Sequence, residues 1–128
     1  MNRPPTFHVD CQVQNLADRK RNTLLHNLRV NSDVMTTWLP KDCLKPLGIE
    51  PARQINFQRE NGLRIRRDTG FVVLRVDNHF TCEEVAFAEN GDPQLLGWRA
   101  LNGMNVQYDP RRRTLVERGP VPVACAAE

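Results

Sequence analysis

Two runs of alternating apolar and polar residues flank the tripeptide Glu60-Asn61-Gly62. Gln54 to Gln58 alternates through Ile55 and Phe57, and Leu63 to Arg66 alternates through Leu63 and Ile65. Asn-Gly between such runs is the strongest short hairpin signal a sequence offers, because both residues accept the positive φ of a type I′ turn. The pattern predicts a projecting β-hairpin with its tip at Asn61 and Gly62. The rest of the chain must supply the sheet from which it projects.

That sheet is legible as further short runs. Thr6 to Gln14 places Phe7, Val9, Cys11 and Val13 on one side and His8, Asp10, Gln12 and Gln14 on the other, a strand with one buried face. Asn15 to Asn22 reads as a loop and Thr23 to Val30 as a second strand. Gly70 to Val76 is a β-branched and aromatic run expected in the middle of the sheet. Asp77-Asn78 turns it into Phe80 to Ala88, Asn90-Gly91-Asp92-Pro93 is a loop, and Asn105 to Tyr108 with Thr114 to Val116 makes a last hairpin. Helix is confined to two places. Pro40 opens a pattern in which Cys43, Leu44 and Leu47 share one side, ended by Pro46 and Gly48, and Trp98 to Asn102 follows Leu95-Leu96-Gly97. Many short strands with one or two short helices describe an all-β, small closed fold.

At 128 residues the chain is read as one domain, residues 1–118, with a tail over 119–128 that lacks a packing pattern and is expected to be mobile. Mean hydropathy is −0.54, and no apolar stretch approaches the ~20 residues of a membrane helix. No signal-peptide core follows Met1, so a cytoplasmic location is expected. Cys11, Cys43, Cys82 and Cys125 are too far apart in sequence for a metal knuckle or redox pair. They are expected to be reduced and mostly buried. No metal or cofactor is implied. The net charge of +3 is too small to argue for nucleic acid by itself, although Arg19-Lys20-Arg21 and Arg111-Arg112-Arg113 leave a weak nucleic-acid or anionic-surface binding module as one alternative.

Function should be written at the corner between the second strand and the first helix, Val30-Asn31-Ser32-Asp33-Val34-Met35-Thr36-Thr37-Trp38-Leu39-Pro40. The succession of that corner, Leu47-Gly48-Ile49, the Asn61-Gly62 hairpin, a strand at Gly70, Leu95-Leu96-Gly97, and Tyr108-Asp109-Pro110-Arg111-Arg112 with Leu115-Val116 resembles the bacterial retropepsin-like aspartic peptidases. The likeness covers roughly Phe7 to Val116. It implies a retropepsin-like acid-protease barrel, a homodimer, a hairpin flap at Glu60, Asn61 and Gly62, and a second family motif at Leu95, Leu96 and Gly97. It also implies a substrate that is an extended peptide.

The family's corner tripeptide is Asp-Thr-Gly or Asp-Ser-Gly, its aspartate nine residues ahead of the proline of the Leu-Pro pair, and that spacing from Pro40 lands on Asn31. The tripeptide therefore maps onto Asn31-Ser32-Asp33, of which Ser32 alone is retained. In the family, one carboxylate from each subunit meets its mate and the pair shares a proton. One activates water while the other protonates the substrate carbonyl. A carboxamide has no proton equilibrium near neutral pH, so Asn31 predicts loss of ordinary turnover.

Three ways around this loss can be drawn from the sequence, and each meets an objection. Asp33 lies too close to Pro40 and lacks the following Ser/Thr and Gly. Asp68-Thr69-Gly70 has the peptidase spelling but follows Arg66-Arg67 and starts a strand. An engineered Asn31 would leave Asp33 unexplained, whereas natural decay or repurposing accounts for both changes. The reading is an inactive peptidase homologue that keeps peptide binding, with an active homodimeric aspartic endopeptidase as the alternative. Two Asn31 amides meeting on a two-fold axis would bond reciprocally, while Asp33 would need donors or water there. Trp38 beside Leu39-Pro40 is read as core in preference to a residue lining a substrate groove, and Trp98 is read as packing.

Overall fold

Alternating runs become strands where one face finds a core, and the computed structural model shows which faces do. It describes residues 7–123. Thr6, at the start of the expected first strand, and residues 124–128, including Cys125, lie outside the described residues. Strand β1 (Phe7–Asn15) runs antiparallel to β2 (Asn22–Val30), with a register shift between Val9 and Cys11. There Asn27, at φ 56°, donates its N–H to the Asp10 carboxylate at 3.1 Å. Strand β3 is Thr37–Pro40, and helix α1 (Lys41–Leu44) continues as a 3-10 turn over Lys45–Leu47. Next come β4 (Arg53–Gln58), β5 (Arg64–Val76), β6 (His79–Ala88), β7 (Leu95–Leu96), α2 (Trp98–Gly103), β8 (Val106–Asp109) and β9 (Thr114–Glu117).

The pairings close into a ring: β1 to β2, β2 to β7, β7 to β3, β3 to β6, β6 to β5, and β5 back to β1. Two contacts in the ring, β2 with β7 and β3 with β6, are parallel. Strand β4 pairs only with β5 and stands outside the ring, while β8 and β9 form a separate hairpin. Among the described residues, no helix is long and apolar enough to cross a membrane. The architecture is mostly β with two short helices, as the sequence predicts.

Strand β3 and the second half of β6, residues 85–88, are buried on both faces, so they read as near-continuous apolar runs. Leu39, Val85 and Phe87 join the main core with Leu44, Val72, Leu74 and Leu96. Trp38, Ala86 and Ala88 face the other way and, with Leu95, form a second cluster against which Val34, Phe57 and Ile65 pack. Each fully buried aliphatic or aromatic side chain contributes ~1.5–3 kcal/mol. The second cluster therefore anchors the β4–β5 hairpin from beneath as well as filling space.

Four expectations need correction. Pro40 does not begin a helix: its ψ of 130° keeps it extended, it pairs with Ala88, and α1 starts one residue later. The expected strands at Leu63 to Arg66 and Gly70 to Val76 are one strand, β5, because Arg67, Asp68 and Thr69 carry on pairing with β4. The hairpin tip is not type I′: φ is positive at Gly62 (85°) and not at Asn61. Arg59 O accepts from Gly62 N at 2.8 Å and Arg59 N donates to Leu63 O at 2.8 Å. That is a type I turn with a glycine bulge, in which only the last loop residue needs the left-handed region. Lastly, the described cysteines are unpaired but not mostly buried: Cys11 is buried, Cys43 half-buried and Cys82 exposed.

Candidate functional site

Between β2 and β3 the corner runs over residues 31–36, and short backbone and side-chain bonds hold it on β7 and the start of α2. Asn31 N donates to Leu96 O at 3.0 Å, Trp98 N to Val34 O at 2.7 Å, and Arg99 N to Met35 O at 3.1 Å. The buried Thr37 hydroxyl accepts Gly97 N at 2.9 Å. The corner thus borrows its hydrogen bonds from Leu96, Trp98 and Arg99, which satisfies backbone groups that a loop would otherwise leave to water. A polar group carried there is held in place by the sheet itself.

Asn31 is half-buried, and its side-chain oxygen accepts Asp33 N at 3.0 Å. An aspartate could accept the same bond, so the local backbone suits either residue and only the proton chemistry differs. Ser32 and Asp33 are exposed. Of the corner residues, it is Val34, Met35 and Thr36 that line the neighbouring cavity.

That cavity has a volume of about 580 Å³ and lies between the corner and the hairpin. Trp38 forms its floor, Phe57 and Ile65 face in from the two hairpin strands, and Gln58, Arg59, Glu60 and Asn61 come from the hairpin end. Pro93 closes it from the β6–β7 loop. The Trp38 and Phe57 ring centroids are 4.7 Å apart at 56°, a tilted aromatic contact that joins hairpin to floor. Apolar walls with a polar rim, in this size range, describe a binding groove for a ligand with a bulky apolar part.

The expected flap residues Glu60 and Asn61 line the cavity, and Gly62 shapes the turn behind them. Leu96 and Gly97 hold the corner through Asn31 N and the Thr37 hydroxyl, while Leu95 pairs with Trp38 of β3. The sequence reading missed Met35, Phe57, Ile65 and Pro93 as lining residues, and it preferred a core role to a groove role for Trp38, which serves as both. The inward alternation of Ile55, Phe57 and Ile65 was the available signal, since that face of a projecting hairpin has to cover something.

Asp92 was also missed. Its side chain is fully buried, with Arg59 Nη2 at 2.9 Å and Arg67 Nε at 2.6 Å. Burial pushes this carboxyl up, but the Arg67 bond, the Glu89 N–H and the charges of Arg67 and Arg59 outweigh it and hold it below the usual carboxylate range.

Asp68-Thr69-Gly70 is a structural segment inside β5, its first two residues paired with β4 and those from Thr69 on paired with β6. Asp68 accepts Gln54 Nε2 at 3.0 Å. Thr69 is fully buried and donates its hydroxyl to Glu84 Oε2 at 2.6 Å. Arg53 grips the same carboxylate through Nε at 2.7 Å and Nη2 at 2.6 Å. The Arg53 bonds, with help from Thr69, hold Glu84 down at about 2 against the cost of burial. The group is fixed as an ion and is unsuited to proton transfer near neutral pH.

The basic clusters are exposed, one in the loop between β1 and β2 and the other in the β8–β9 turn, where Asp109 Oδ1 accepts Arg111 N at 2.9 Å. The described residues contain no cluster of His, Cys, Asp and Glu able to hold a metal. No protein-family model matches the chain, and no curated protein matches it.

Proposed function

We propose that this chain is a retropepsin-like aspartic-peptidase homologue that has lost peptidase turnover and binds extended peptide in the groove between its corner and its β4–β5 hairpin. The observation that carries the reading is the combination at one place: a sheet-clamped corner that carries Asn31 next to Val34, Met35 and Thr36, which line an apolar cavity faced by a projecting hairpin. A carboxamide at Asn31 binds water but cannot deprotonate it, which leaves the groove able to hold a ligand without attacking it. The exposed edge of β4 and the polar rim at Gln58 to Asn61 suit backbone pairing with an extended chain, and Trp38, Phe57 and Met35 suit an apolar side chain. In the homodimer that this reading entails, two Asn31 amides replace a repulsive carboxylate pair with neutral reciprocal bonds. The cellular setting of the proposal is the cytoplasm.

Titration with a library of unfolded peptides tests the binding half of this reading. Peptides bearing bulky apolar residues should shift the emission of Trp38, and Met35→Glu, which places a charge on the cavity wall, should weaken them by about tenfold or more. A library of which no member binds the folded chain would overturn it.

A further inference from the structure

Asp92 is the one carboxylate among the paired acidic residues described whose side chain has no exposed surface, and its four hydrogen bonds have a pattern. Oδ1 accepts Arg59 Nη2 at 2.9 Å and Arg67 Nη2 at 3.1 Å, while Oδ2 accepts Arg67 Nε at 2.6 Å and Glu89 N at 2.9 Å. The last of these stays within the β6–β7 loop. The others reach the hairpin, Arg59 at the turn that closes its tip and Arg67 on β5. The loop and the hairpin are therefore joined by a charge pair that water does not reach from the Asp92 side. A buried carboxylate of this kind must stay paired, because leaving it alone in the interior costs several kcal/mol.

The two arms differ. The Arg67 side chain is 17% exposed and has Glu89 as a second carboxylate at 3.4 Å, whereas the Arg59 side chain is 40% exposed. Water can replace the partner of Arg59 far more readily than that of Arg67. Arg59 also lines the cavity, as does Pro93 beside Asp92.

We infer that Asp92, Arg59 and Arg67 form a latch that holds the hairpin down over the cavity, with Arg59 as the arm that releases first. Without it, the hairpin end rests on the contacts of Phe57 and Ile65 with the second apolar cluster. The latch lets the groove open at the tip while Arg67 keeps the base in register. This inference deepens the reading of the groove as a ligand site, but its test reads hairpin motion alone and does not depend on whether peptides bind.

Backbone hydrogen exchange of the full chain decides it. Arg59→Gln should speed exchange of the amides flanking the tip, Phe57 to Ile65, by about tenfold or more, the loss expected for a hydrogen bond to a charged group, and leave β1 and β2 unchanged. Arg64→Gln, on the outward side of the same hairpin, should leave all of these rates as they are. Hairpin exchange within about twofold of the parent in Arg59→Gln would overturn the latch. So would equal acceleration of β1 and β2, which marks a general brace. Asp92→Asn should open the hairpin further; if that variant fails to fold, Arg59→Gln, altered at a part-exposed side chain, still decides between latch and brace.

Discussion

Replacing Gly97 with alanine probes the contact that keeps the corner rigid. A Cβ built there would sit 2.7 Å from Thr36 O, 2.8 Å from Thr36 C and 2.8 Å from Val34 O, all backbone atoms that cannot rotate aside. The backbone of Gly97, at φ −92° and ψ 176°, is one that alanine adopts freely, so the cost is contact and not conformation. Reaching the 3.4 Å at which ordinary contact begins requires the corner and the β7–α2 junction to part by about 0.7 Å. That movement stretches Trp98 N to Val34 O, now 2.7 Å, and Gly97 N to the Thr37 hydroxyl, now 2.9 Å. Overpacking of this sort costs ~1–3 kcal/mol, and one weakened buried hydrogen bond adds ~1 kcal/mol. The expected loss of ~2–4 kcal/mol is a large part of the ~5–15 kcal/mol that a domain has. Urea unfolding followed by circular dichroism should show the midpoint fall with an unchanged slope, and Tm should drop by ~10 °C. Gly62→Ala is the comparison: it has nothing within 4 Å but a φ of +85°, so it should cost only ~1–2 kcal/mol through backbone strain. If Gly97→Ala proved no more costly than Gly62→Ala, the account of a corner clamped by β7 would be wrong.

Two further predictions concern titration and reactivity. Glu84 is lowered from 4.5 to about 2 in the folded chain, and Asp92 is lowered too, so both bind protons more readily when unfolded. Their stabilisation is complete above the unfolded value and disappears as pH falls through the folded one. The urea midpoint should therefore decline from ~pH 5 down towards pH 2, and Glu84→Gln should flatten part of that decline; a parent midpoint constant over the window contradicts it. The Cys11 thiol, pushed up to about 12 by burial, should resist iodoacetamide at ~pH 8 in the folded chain, while exposed Cys82 is alkylated. Peptide mapping that found Cys11 modified as fast as Cys82 would refute the burial argument.

Most of the strands were legible because their physics is local. The alternation of Phe7 to Val13 and of Ile55 to Phe57 follows from one face being buried, and Asp77-Asn78 turns the chain where expected. A break between Arg66 and Gly70 is expected because the alternation ends at Arg66 and the β-branched run begins at Gly70, and the structure has none. Arg67 is satisfied by Asp92, and Thr69 by Glu84, partners distant in sequence that allow polar side chains inside a strand. Thr37 to Pro40 went unread as a strand for a similar reason: its pairing with β6 is parallel, and parallel pairing joins segments with no turn between them.

The site divided along the same line. The hairpin tip could be placed from its immediate neighbours, whereas the weight given to Asn31 rests on the family resemblance, and Asn31 lies beside the cavity-lining residues Val34 to Thr36 and not among them. The cavity wall could not, because it is assembled from the corner, β3, both hairpin strands and Pro93. Asp92 looks like an ordinary loop residue in Asn90-Gly91-Asp92-Pro93, and nothing adjacent to it in sequence indicates the two arginines that bury it.

The most direct test of the account is peptide-bond cleavage by the purified chain, measured on unfolded casein between about pH 4 and pH 7, the range in which a carboxylate dyad would work. With Asn31 at the corner the account predicts no cleavage above that of a buffer control. Cleavage that is abolished by a transition-state inhibitor of aspartic peptidases would contradict it.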